Sequence, residues 1–159
     1  MISIRVLDGH KRVGVDFDGT LVDEPKSSIL VDYIIKNFKT TDFVIVTFRS
    51  HGMENEIWHI LEMVHGKTGI KRDMFKGVVN IPNEMYENYL NDLDQLFIRR
   101  RAGLEIPKIM PGIEAYRTWK GSVCYDAKLS VMIDDKPEDV EAGCRQFGVD
   151  FIDIRTITP

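Results

Sequence analysis

The chain has 159 residues, of which 43% are hydrophobic and 29% charged. Those shares suit one globular domain with its own core, and they exclude a disordered or collagen-like chain. With 21 basic and 25 acidic residues the formal net charge is −4, so bulk electrostatics do not favour nucleic acid, although a local basic patch stays compatible.

No apolar run approaches the roughly 20 residues of a membrane helix. The first residues, Met1-Ile2-Ser3-Ile4-Arg5, lack a basic start followed by an apolar stretch, which predicts no secretory signal. Cys124 and Cys144 show no Cys-x-x-Cys spacing. Free buried thiols in a reducing cytoplasm are the expectation.

Taken in chain order, strands and helices alternate. Residues 12–17 form a short apolar run that stops at Asp18-Gly19, the pattern of a buried strand. From Ser28 to Phe38, Leu30, Tyr33, Ile34 and Phe38 follow helical spacing. Asp42 to Phe48 is a second β-rich run. Ile57, Ile60, Leu61 and Val64 mark one helical face, and residues 84–101 read as a polar helix ending in Arg99-Arg100-Arg101. A short helix is expected from Gly121 to Lys128, then a strand over 130–133 that stops at Asp134-Asp135. Pro137 opens a helix to about Phe147, and Val149 to Ile154 is a last strand. This alternation predicts an α/β domain around a mostly parallel sheet. Segment 67–106 fits it least well; a small cap or insertion, an oligomerisation arm and extra helices on the sheet are the readings it allows.

Parallel sheets bind ligands at the carboxyl ends of their strands. Asp16, Asp18, Thr47, Asp134 and Asp135 all fall at or just past such ends. An aspartate held there can attack phosphorus as a nucleophile. Gly19 permits the turn that would bring Asp18 back as general acid and base. The bland alternative is an Asp-Gly turn capping a strand.

Asp16-Phe17-Asp18-Gly19-Thr20 resembles the first motif of the haloacid dehalogenase (HAD) superfamily of phosphotransferases. Val44-Ile45-Val46-Thr47 matches that family's second motif, and Val131-Met132-Ile133-Asp134-Asp135 matches its fourth. The third is a single lysine. Lys120, after Trp119, is the first choice; Lys108 and Lys128 are the alternatives. The resemblance implies a Rossmann-like, HAD-type three-layer sandwich of the small-cap or capless kind. It also implies a magnesium-dependent phosphatase working through an aspartyl-phosphate. Asp16, Asp18, Thr47 and Lys120 would then be catalytic. Gly19, Thr20 and Arg49 would touch the substrate. Mg2+ would be held by Asp16, Asp18 (through its backbone carbonyl), Asp134 and Asp135. The phosphorylated substrate is expected to be a nucleotide, a nucleic-acid 3′ end or another small metabolite, because residues 119–149 are similar to the phosphatase half of polynucleotide kinases and to deoxyribonucleotidases. A homo-oligomer is compatible with the short stretch between Thr20 and Thr47, too short for a large cap.

The chemistry explains the residue types. Phosphoryl transfer is mostly positioning and charge neutralisation. Hard oxygen ligands suit magnesium, and without a cation several carboxylates would repel a phosphate. Two rivals stand beside this reading. A receiver-type phospho-acceptor module requires the opposite order of acids along the chain. A catalytically inactive binding subunit has no support from the motifs, all of which have intact candidates. Arg49 and His51 fall near the site. His10, expected at the surface, and His59 and His65 form no zinc-like cluster. Arg99–Arg101 read as charge favoured at a helix C-terminus. Trp58, Tyr86, Tyr89, Phe97 and Trp119 read as core or cap packing rather than a stacking platform.

Overall fold

A computed structural model describes all 159 residues. Five parallel strands form the central sheet in the order β4-β3-β2-β5-β6. They are β2 (Arg12–Val15), β3 (Asp42–Ser50), β4 (Gly77–Ile81), β5 (Val131–Asp134) and β6 (Asp150–Asp153). A separate pair, β1 (Ile2–Ser3) and β7 (Ile157–Thr158), joins the two ends of the chain. The expected α/β, Rossmann-like three-layer architecture is present.

Residue alternation along the strands builds the layers. Val13, Val15, Phe43, Ile45, Val131 and Ile133 face one side, where α1 (Ser27–Asn37) and α2 (Glu54–His65) supply Leu30, Ile34, Ile57 and Leu61. Val44, Val46 and Met132 face the other, under α4 (Pro111–Asp126) and α5 (Pro137–Gln146). Both cysteines are buried and unpaired in this second core. No helix is long and apolar enough to cross a membrane.

Two segments depart from the sequence expectation. Within 67–106, Gly77–Ile81 extends the sheet as its edge strand and α3 (Asn83–Ala102) packs along α4. The expected short helix at 121–128 is the end of the 16-residue α4. Pro111 suits a first helical turn, and Asp92 of α3 accepts from the Gly112 and Ile113 amides at 2.6 and 3.1 Å. That cap comes from another helix, so local sequence could not announce it.

The chain runs outward from β2 through β3 to β4, then returns to β5 on the other flank of β2. The reversal lies between β2 and β5, and it opens the crevice where ligands bind in such sheets. Behind it, α4 and α5 meet at Gly121 and Gly143. A Cβ on Gly121 would run into the Gly143 carbonyl, and one on Gly143 would lie 2.7 Å from the Arg117 carbonyl oxygen. Gly121→Val should therefore force the two helices apart at a cost of about 1–3 kcal/mol. Urea denaturation measures it, and an unchanged midpoint would show that the close approach is dispensable.

Candidate functional site

The Asp16 amide donates to the Ile133 carbonyl at 2.9 Å, which ties the end of β2 to the end of β5. The chain then folds tightly: the amides of Thr20, Leu21 and Val22 all converge on the Phe17 carbonyl. Gly19 takes a left-handed φ of +74°, and a Cβ there would collide with the Asp135 carboxylate. Glycine is thus required twice, for its backbone and for space.

Lys120 projects from α4 between the two strand ends. Its Nζ donates to Asp16 Oδ1 at 2.7 Å and to Asp134 Oδ2 at 2.6 Å, and it lies 4.2 Å from the centre of the Phe48 ring. All three charged groups are buried. Asp134 Oδ1 accepts from the Lys136 amide at 2.9 Å. Asp135 completes the cluster: one oxygen of each of Asp16, Asp134 and Asp135 lies within 4.8 Å of the others. Asp135 Oδ1 is buried and has no hydrogen-bond partner.

Burial raises the Asp16 carboxyl from 3.8 to about 7; the Lys120 charge opposes the rise and the Asp134 charge adds to it. Burial alone would lower the Lys120 ammonium, but the Asp16 and Asp134 charges outweigh it and hold it raised. Burial, reinforced by Asp134, also raises Asp135.

A cleft of about 640 Å3 opens beside the carboxylates, lined by Thr47, Phe48, Arg49, Tyr86, Tyr116 and Lys136 among others. Thr47 is buried and accepts from the Arg49 amide at 3.1 Å, which leaves its own proton available to a ligand. The bulge near the end of β3 carries residues 47–50 onto the rim.

Of the expected site residues, Asp16, Lys120, Asp134 and Asp135 meet in the cluster, with Thr47 at the cleft beside them. The Asp18 carboxylate does not join them. It is half exposed and held by Arg49 through Nε at 2.8 Å and Nη2 at 2.9 Å, while Arg49 also reaches Glu56 at 3.4 Å. Arg49 is therefore committed to two carboxylates. Thr20 is fully buried with its hydroxyl 3.4 Å from Asp16 Oδ2, so it supports the aspartate rather than facing the cleft. Lys108 and Lys128 are exposed, the latter in a left-handed turn.

His51 is exposed beside Glu54, and His59 is exposed on α2. His65 is buried and donates to the Leu21 carbonyl at 2.6 Å. His10 is not a free surface residue: its ring meets Ser130 Oγ at 2.7 Å and is largely covered. Phe97 does not pack in a core. Phe48, which covers Lys120, escaped the sequence reading; its signal was an aromatic directly after Thr47.

Comparison with known proteins returns little. No protein-family model matches the chain, and no curated protein matches it. A solved structure of a universal stress protein in complex with cAMP is similar over 91% of this chain and 95% of its own, at 11% identity and a TM-score of 0.44. These findings correct the expectation from the motifs. The chain is not placed in the HAD superfamily, and the magnesium-dependent aspartyl-phosphate phosphatase drawn from that resemblance is withdrawn with it. Short motifs at strand ends recur wherever parallel sheets gather polar groups, and fold does not carry activity.

Two outcomes follow from the cluster. Lys120→Met leaves Asp16 and Asp134 buried without a countercharge and should cost about 3–5 kcal/mol in urea denaturation at neutral pH. The pH dependence has a definite sign. A carboxyl raised from 3.8 to about 7 binds a proton in the folded state that the unfolded chain releases. Its contribution is full below the unfolded value and is lost as pH climbs through about 7. Asp135 adds in the same direction. In chelator, Asp16→Asn should flatten the fall in stability between these limits, and an unaltered slope would assign it to other groups.

Proposed function

We propose that the crevice between β2 and β5 is a divalent-cation site that receives the phosphate group of a phosphorylated ligand. The observation that carries this reading is Asp135 Oδ1, a buried carboxylate oxygen with no partner, on a residue clustered with Asp16 and Asp134. A buried unpaired carboxylate oxygen is costly unless something coordinates it. Asp16, Asp134 and Asp135 would hold the cation, and their all-oxygen character favours magnesium. The cation supplies charge neutralisation, without which three carboxylates against one lysine would repel a phosphate. Thr47 would donate its hydroxyl to a phosphate oxygen, and Lys136 adds positive charge at the rim. Tyr86 on the cleft wall suits a ligand that carries a planar ring beside its phosphate, as a nucleotide does, whereas Phe48 and Tyr116 stack on each other.

A cytoplasmic location accords with the two unpaired thiols.

Calorimetric titration tests the site. Magnesium should bind the wild type with proton release, and Asp135→Asn should weaken it at least about tenfold. Phenyl phosphate should then bind only with magnesium present. Equal binding of the ester in chelator would sink the proposal.

A further inference from the structure

Helix α3 has 20 residues and buries none of them. Its inner side, through Met85, Tyr86 and Tyr89, packs on the second core. Its outer side carries a different pattern. At 100° per residue, Glu87, Leu90, Asp94, Phe97 and Arg101 fall on one stripe, with Ile98 at its border. Leu90, Phe97 and Ile98 are 40, 62 and 55% exposed, and Leu104, just past the helix, is 56% exposed. Six of the twelve large exposed hydrophobics of the whole chain lie between residues 90 and 109. Scattered exposed apolar residues are ordinary, but such a concentration, three on the helix and three in the segment after it, marks a contact surface.

Charge along the stripe identifies the occupant. On the stripe Glu87 and Asp94 are acidic and Arg101 is basic, with Arg100 one position before it. Two antiparallel copies of this helix therefore complement each other, because Asp94 of each meets the basic end of the other. A register centred on Phe97 stacks Phe97 on its counterpart. It also brings Asp94 to Arg100 and Arg101. This is an isologous contact, the self-complementary kind that a two-fold axis requires. A parallel arrangement would set like charges against each other along the whole length. The stripe is narrow, which suits the seam of a helix pair. In this register residues 92–102 of the two helices overlap, about 16 Å or three turns of contact.

We infer that the outer face of α3 is a homodimer surface, an antiparallel helix pair about a two-fold axis at Phe97. Tyr86, which lines the cleft, lies N-terminal to the 92–102 segment that this register pairs. The dimer therefore leaves the cleft open.

Sedimentation equilibrium of the full chain over a wide concentration range tests the inference. The wild type should be a reversible dimer, and Phe97→Glu should weaken it at least about 30-fold. The decisive arm uses charge. Asp94→Lys alone and the double variant Arg100→Glu, Arg101→Glu alone should each be more monomeric than wild type. Mixed in equal amounts they should associate, since each then presents the charge that the other has reversed. Circular dichroism melts check that these exposed substitutions leave the fold intact. A wild type that stays monomeric at every concentration would overturn the inference and leave the face to a different partner. So would a dimer indifferent to Phe97→Glu, or two charge variants that fail to associate on mixing.

Discussion

The structure depends on one buried ammonium. Lys120 lies between Asp16 and Asp134, almost wholly out of water, and bonds to both at 2.6–2.7 Å. Each of these groups alone would be costly to bury; together, with the Lys136 amide and the Phe48 face, they form a satisfied network. The network fastens three elements at a single point: the end of β2, the end of β5 and the middle of α4. Specificity, more than stability, is what such a buried cluster supplies. A lysine has many rotamers in water, and here only one lets its charge be matched.

That arrangement explains features some distance away. Lys120 can reach the strand ends because Gly121 brings α4 onto α5 with no side chain between them. Gly19 keeps a left-handed turn beside Asp135, so three carboxylates crowd into a space that any larger residue would take. The crowding has an electrostatic consequence. Lys120, with the half-exposed Lys136 3.7 Å from Asp135 Oδ2, leaves three carboxylates incompletely neutralised, and burial pushes Asp16 and Asp135 toward their protonated forms. Asp135 Oδ1 is the visible remainder of that imbalance. Arg49, which could have supplied a second positive charge, is drawn off by Asp18 and Glu56 at the rim.

The molecule thus separates two kinds of surface. The crevice between β2 and β5 concentrates charge in a confined place, where a cation has most to gain. The outer side of α3 does the opposite, with apolar residues flanked by opposite charges in open solvent. The first suits a small, highly charged ligand; the second suits a large, self-complementary one.

Much of the fold was legible along the chain. Apolar runs ending at Asp18-Gly19 and Asp134-Asp135 placed β2 and β5, the run from Asp42 placed β3, and the intervening periodicities placed α1, α2, α3 and α5. Strand and helix periods are local properties, so sequence alone determined the alternation and the five-residue cluster of polar strand ends that it implies. Three things were decided only by the tertiary structure. The length of α4 depended on Asp92, a cap supplied by another helix. The role of Asp18 depended on Arg49, a partner 31 positions away that turned its carboxylate out of the cluster. The choice of Lys120 over Lys108 and Lys128 depended on which stem could be buried while its ammonium met two carboxylates. Each of these is an interaction between residues far apart in the chain, and its energy exists only once the backbone has brought them together.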